Sequence, residues 1–158
     1  MKRLTLVRHA NAEPQGDGSN DFGRRLTRRG HAEADALAHH LMEQGLVPDQ
    51  LATSPAQRAW QTAEILAQQL ELPGNLVKLD AQLYLASPVD MLRTVRTQEP
   101  HVQHFMIVGH NPGISELARL LAAGAWFGEL GTACACTMLF DTDVWLDVNP
   151  GQASEVRA

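Results

Sequence analysis

Two histidines in this chain stand in matching settings, each just beyond a short apolar run. Leu4-Thr5-Leu6-Val7 leads into Arg8-His9, and Phe105-Met106-Ile107-Val108 leads into Gly109-His110-Asn111. A third run, Leu51-Ala52-Thr53, leads into Ser54-Pro55, with Arg58 shortly after. A neutral imidazole is a competent nucleophile near pH 7 when one ring nitrogen is free to attack and the other is held by a carbonyl or carboxylate. A guanidinium presents a planar fork of N–H donors that grips phosphate oxygens in pairs. Two histidines and two or more arginines gathered at one place therefore suit a dianion such as a phosphoryl group. His9 is the candidate nucleophile, His110 a donor that stabilises the group in transit, and Arg8 and Arg58 the clamps on its oxygens.

Those residues meet only if the elements carrying them end at one edge. The three runs read as strands, joined by a fourth at Leu76 to Leu79. Between them lie helical patterns. Thr27 caps a helix with Ala34, Leu37, Ala38 and Leu41 on one face and Gly45 as its stop signal. Ser54 as cap and Pro55 at the first helical position open a second helix, striped by Ala59, Ala63, Leu66 and Leu70. A third spans Val89 to Thr97. Asn111 as cap and Pro112 open a fourth, with Ile114, Leu117, Ala118 and Leu121 inward and an end near Gly124. Glu13 to Phe22 reads as a flexible loop, and Thr137 to Phe140 with Val144 to Val148 as a C-terminal hairpin at the sheet edge. Alternation of this kind predicts an α/β fold in one domain over residues 1–158, a mostly parallel open sheet with helices on both faces. Such sheets bind ligands at the carboxyl ends of their strands, where the residues above converge.

Composition narrows the partners. A formal charge of −5 and a pI near 5.7 exclude a general nucleic-acid binder, which needs net positive potential to displace counterions. The cations are concentrated early, with 8 Lys/Arg against 7 Asp/Glu in residues 1–60 and 5 against 11 thereafter. Eleven of the 13 basic residues are arginine, which again favours phosphate oxygens. No stretch reaches the roughly 18–20 apolar residues of a membrane span. Cys134 and Cys136 are too close for a relaxed disulfide and read as core thiols sharing a strand face, which suits a reducing cytoplasm. His39-His40 point apart on a helix and His101-x-x-His104 lacks a third ligand, so neither reads as a metal site, and no cofactor is expected.

The runs Leu6-Val7-Arg8-His9, Leu26-Thr27-Arg28-Arg29-Gly30, Ser54-Pro55-Ala56-Gln57-Arg58-Ala59-Trp60-Gln61-Thr62-Ala63 and Val108-Gly109-His110-Asn111-Pro112, in this order and spacing, resemble the histidine phosphatase superfamily. The short length and the segment Arg24-Arg25-Leu26-Thr27 are most similar to its SixA-like phosphohistidine phosphatases. The resemblance implies a phosphoglycerate mutase-like fold, transient phosphorylation of His9, and Arg8, Arg58 and His110 around the phosphoryl group. Arg24 matches a further phosphate-contacting arginine, a role that Arg25, Arg28 or Arg29 could share. The implied activity is metal-independent removal of phosphate from phosphohistidine in a protein; the alternatives are a broad phosphomonoesterase on small metabolites and a phosphate-binding module without turnover.

Two positions depart from the family pattern. The usual Arg-His-Gly is Arg8-His9-Ala10 here, acceptable where φ is negative. Larger members carry an acidic proton donor, whereas Ala81-Gln82-Leu83-Tyr84 offers no carboxylate, leaving Glu13 or another acid of the Glu13 to Phe22 loop as the group that can swing in.

Overall fold

The computed structural model describes residues 1–16 and 20–158. The apolar runs form strands β1 (Lys2–Arg8), β2 (Gln50–Thr53), β3 (Val77–Leu79) and β4 (His104–Gly109), and the helical patterns form α1 (Arg28–Glu43), α2 (Gln57–Gln69), α3 (Pro88–Arg96) and α4 (Gly113–Ala122). Two further strands, β5 (Ala135–Phe140) and β6 (Ala153–Arg157), complete a six-stranded sheet of order β3-β2-β4-β1-β5-β6. The pairs β3-β2, β2-β4 and β4-β1 are parallel, and β5 and β6 are antiparallel additions at one edge.

Each face of the sheet has its own core. Val7, Leu51, Met106 and Val108 pack with Leu37, Ala38 and Leu41 of α1 and Ala59, Ala63 and Leu66 of α2. On the opposite face Leu4, Leu6, Phe105 and Ile107 pack with Met91 and Val95 of α3 and Ile114, Leu117 and Leu121 of α4. Parallel strands buried on both sides explain why β1 and β4 read as continuous apolar runs. Full burial of each such side chain contributes about 1.5–3 kcal/mol.

The helix starts differ from expectation at two points. Thr27 does cap α1, its hydroxyl accepting from Gly30 N at 3.0 Å. Ser54, however, does not begin α2: the helix starts at Gln57, and the Ser54 hydroxyl accepts from Ala56 N at 3.3 Å while also engaging His110. Likewise α4 begins at Gly113, because the Asn111 side chain is turned to Leu130 O and the Ser115 hydroxyl. The Ser54 side chain thus ties the ends of β2 and β4 together, and the Asn111 side chain ties the end of β4 to α4 and to the segment before β5.

The C-terminal pair at the edge is present, but its second strand is Ala153–Arg157, not Val144 to Val148. The latter segment contains a 3₁₀ turn that seats Trp145 against Phe105, ring centroids 6.2 Å apart, with its indole N–H on Val102 O. Of the expected loop from Glu13 to Phe22, residues 17–19 lie outside the described residues, and Asp21–Gly23 forms a 3₁₀ turn. Cys134 is exposed and precedes β5, so only Cys136 is a core thiol, its pKa pushed up to about 11 by burial. Among the described residues no helix is long and apolar enough to cross a membrane, and no cluster of three or more His, Cys, Asp or Glu side chains could hold a metal ion.

Candidate active site

The carboxyl ends of β1, β4 and β2 lie side by side. Arg8 is in register with Gly109 and Thr53 with Val108, while His9 N donates to Gly109 O and Ser54 N to Val108 O, both at 3.1 Å. Adjacent parallel strands thus deliver His9, His110 and Ser54 to one point, with the His9 and His110 ring centroids 5.3 Å apart.

The chain leaving His9 is fixed by residues of two helices. Ala10 N donates to the Thr62 hydroxyl of α2 at 3.0 Å, and that hydroxyl donates to Arg58 O. Asn11 N donates to Glu33 Oε1 of α1, while Asn11 O accepts from Thr27 N and packs against Gly30. Leu26 N donates to Gln61 Oε1. The Leu26-Thr27…Gly30 and Gln61-Thr62 portions of the motifs therefore hold the His9 turn. Ala10 has no left-handed backbone angle and is fully buried, so its methyl is accommodated.

His9 is buried, and its Nδ1 lies 2.8 Å from Ala10 O, an acceptor that fixes the proton on Nδ1. The lone pair is then on Nε2, which accepts from Arg58 Nε at 3.3 Å. Burial chiefly, with Arg58, Arg8 and Arg24 adding to it against the Ala10 hydrogen bond, holds the His9 pKa at about 4. His110 is pushed to about 3, first by burial and then by Arg58 and His9. Both rings are neutral at pH 7. His110 Nε2 is 2.7 Å from the Ser54 hydroxyl, whereas His110 Nδ1 and Arg8 Nε are buried and find no hydrogen-bond partner among the described residues. Arg8 Nη1 donates to Leu130 O.

Asp21 was not singled out by the sequence, yet its carboxylate pairs with two of the arginines at this site. Arg58 Nη1 donates to Asp21 O at 2.7 Å and Nη2 to Oδ2 at 3.1 Å; Arg24 Nη1 donates to Oδ1 at 2.9 Å. The Tyr84 hydroxyl donates to Oδ2 at 2.5 Å, and the Tyr84 ring stands edge-on between Phe22 and His110. The Tyr84 hydrogen bond first, then Arg24 and Arg58, lower the Asp21 pKa to about 2 against the opposing effect of burial. Glu13 contacts this segment through its backbone, its O accepting from Arg24 Nε and its N donating to Arg25 O. Arg24 is thus nearest to Asp21, while Arg25, Arg28 and Arg29 are exposed and Arg29 pairs with Glu33.

A cleft of about 190 Å³ opens beside His110, lined by Leu85 to Pro88, Asn111 to Gly113 and Glu116. A separate cavity of about 480 Å³ between α1 and β5 is lined by none of His9, His110, Arg8, Arg58 and Asp21.

The fold and this pocket, two neutral histidines among arginines at parallel strand ends, define an α/β protein built to bind an anion. Residues 4–83 match the model of the histidine phosphatase superfamily (branch 1), and the chain belongs to that superfamily. It is 33% identical over 131 residues to an uncharacterized protein of Picosynechococcus sp., covering 81% of this chain and 75% of that one. The protein histidine phosphatase SixA in complex with tungstate has the same fold, with a TM-score of 0.82 at 20% identity over 98% of this chain and 95% of that one. A mycobacterial glucosyl-3-phosphoglycerate phosphatase is also similar, with a TM-score of 0.69 at 17% identity over 99% and 96% of the two chains.

Proposed function

We propose that residues 1–158 form one catalytic domain of a metal-independent phosphatase that acts through a phosphohistidine intermediate on His9, with phosphohistidine in a protein as its substrate. The observation that carries this reading is the His9 tautomer: Nδ1–H is held by Ala10 O, and the Nε2 lone pair faces Arg58. Nε2 attacks phosphorus, the bond from phosphorus to the leaving group breaks, and the ring keeps its Nδ1–H and carries the positive charge. Water then attacks phosphorus, giving up a proton to solvent, and the P–Nε2 bond breaks with its electron pair returning to Nε2, which releases phosphate and restores neutral imidazole. Arg58 Nε, and with it Arg8 Nε and His110 Nδ1, which have no partner among the described residues, are donors for the phosphoryl oxygens, buried where such bonds are strongest. The Ser54 hydroxyl, donating to His110 Nε2, would hold the His110 proton on Nδ1. Arg24 adds positive charge from the far side of Asp21.

The leaving group selects the substrate. An alkoxide needs a proton from a positioned acid, a contribution worth about 10²–10⁴-fold. The acid nearest Arg58 is Asp21, ionised and acting as an acceptor. A phosphohistidine ring is protonated from solution near neutral pH and leaves as neutral imidazole. The order expected for kcat/KM is phosphohistidine peptide above aryl phosphate above alkyl phosphate. An alkyl ester matching the peptide would defeat the substrate assignment, and an acid-labile phosphoenzyme on a residue other than His9 would defeat the mechanism. The fold shared with the glucosyl-3-phosphoglycerate phosphatase favours a second reading, a phosphomonoesterase on small metabolites, and the same series decides between them. Tight phosphate binding without turnover of any of the three would identify a binding module. Two free cysteines suit a cytoplasmic setting.

A further inference from the structure

The Arg58 guanidinium is divided between two tasks. Nη1 and Nη2 are both spent on Asp21, on its backbone O and its Oδ2, while Nε points at His9 Nε2. A guanidinium has five N–H groups along its edges, so an acceptor that takes the terminal edge leaves the Nε side free for a second, coplanar acceptor. The second acceptor in a phosphatase is the phosphoryl group travelling to or from Nε2. Arg58 is almost wholly buried, yet its guanidinium reaches the pocket from the first turn of α2 on a long stem, and its two Nη groups are tied down by Asp21. Asp21 is itself held by Arg24 on Oδ1 and by the Tyr84 hydroxyl on Oδ2, the oxygen that also takes Arg58 Nη2.

We infer that Asp21 is a positioning residue for phosphoryl transfer: fixed in turn by Tyr84 and Arg24, its carboxylate and carbonyl grip the outer edge of Arg58 and aim the inner edge at the phosphoryl group on His9. The inference rests on the phosphatase reading above. It distinguishes Asp21 from the acid of larger superfamily members. A proton donor must be protonated, whereas this carboxylate accepts three hydrogen bonds from donors on three residues and is ionised at neutral pH. It also separates aim from attraction. Removing the carboxylate raises the net positive charge of the pocket by one, so anion binding does not weaken, but Arg58 loses its orientation. Misplacement of a transition-state donor by about 1 Å costs on the order of 10²-fold in rate.

The test uses Asp21→Ala, with Asp21→Asn and Tyr84→Phe as milder variants should the first fold poorly. It is read with p-nitrophenyl phosphate turnover and orthovanadate binding, so that it does not depend on the phosphohistidine assignment. Asp21→Ala is expected to lower kcat by roughly 10–100-fold with KM and the orthovanadate Kd unchanged or lower. Tyr84→Phe, which leaves the Arg58–Asp21 contacts in place, should lower kcat only a few-fold. In an Arg58→Ala background Asp21→Ala should have little further effect, because its target is gone. Wild-type kcat in Asp21→Ala, a higher KM at unchanged kcat, or full additivity with Arg58→Ala would each overturn the inference. A wild-type chain that neither turns over the aryl ester nor binds orthovanadate would instead remove the phosphatase reading, and the inference with it.

Discussion

Acidification from pH 7 to pH 5 should leave three buried histidines of this protein, His9, His104 and His110, largely neutral. Burial is the first cause in each case, holding His9 and His104 near 4 and His110 near 3, against 6.5 for the unperturbed ring. For His9 the charges of Arg58, Arg8 and Arg24 act in the same direction and the Ala10 carbonyl partly offsets them. His104 is fixed by Thr5 and Val47 within the sheet and feels Arg3. These folded-state values lie below the unfolded one, so between pH 6.5 and about 4 the unfolded chain binds protons that the folded chain refuses. Stability is therefore fully present above 6.5 and is lost as pH falls through that window. At 1.36 kcal/mol per pKa unit, a gap from 6.5 to about 4 contributes up to about 3 kcal/mol for each of His9 and His104. Set against a typical total of 5–15 kcal/mol, that loss is large. Urea unfolding at pH 7, 6, 5 and 4, beside NMR titration of the histidine ring carbons, reads both quantities. Phosphate should raise the His9 midpoint, since an adjacent dianion favours the charged ring. A His9 midpoint near 6.5 in the free protein, or stability that stays flat down to pH 4, would refute the account.

His9→Ala should abolish turnover while leaving the fold intact, as judged by circular dichroism. Arg58→Ala should remove on the order of 3 kcal/mol of transition-state stabilisation, about a hundredfold in kcat/KM, and weaken phosphate binding in a direct titration. Gly30→Ala should both destabilise and slow the enzyme, because a Cβ there would lie 2.0 Å from Asn11 O and must displace the backbone that follows His9; a loss of about 1–3 kcal/mol in urea unfolding together with reduced kcat is the expected pair. Exhaustive EDTA treatment should leave activity unchanged in an aryl phosphate assay, since arginines supply the positive charge; restoration by a divalent ion after a loss would contradict this.

The central strands and all four helices were legible because burial on two faces writes itself as continuous apolar runs and as helical stripes. The legible signals weaken at the sheet edge. Val144 to Val148 alternates like a strand, but Val144 and Leu146 are exposed and the segment turns to bury Trp145 and Val148. Ala153–Arg157 has only Val156 and Ala153 packed against the core, so backbone pairing with β5 creates a strand that side-chain pattern could not announce. Ser54 and Asn111 sit where helix caps sit in sequence. Their side chains are taken by His110, Leu130 and Ser115, contacts that depend on strands being neighbours.

The site divides along the same line. His9, Arg8, Arg58 and His110 were legible because each follows a recognisable strand or opens a recognisable helix, so topology alone carries them to one edge. Asp21 and Tyr84 carry no such address: one lies in a loop rich in polar residues, the other after a 3₁₀ turn, and they meet through tertiary folding at a separation of 63 residues. What the sequence did contain was an unanswered charge. Arg58 is 3% exposed, and a buried guanidinium without an anion costs several kcal/mol. Once α2 places Arg58 in the core, a carboxylate must come to it, and the loop before Leu26 is the segment of chain anchored beside it through Gln61. With Asp21 in place, Arg8, Arg24 and Arg58 leave a net charge of about +2 around two neutral histidines, the complement of a phosphoryl dianion. The acid expected from Glu13 or another residue of the Glu13 to Phe22 loop is thus better understood, in Asp21, as the counter-ion that lets the arginines be buried while still presenting donors to phosphate.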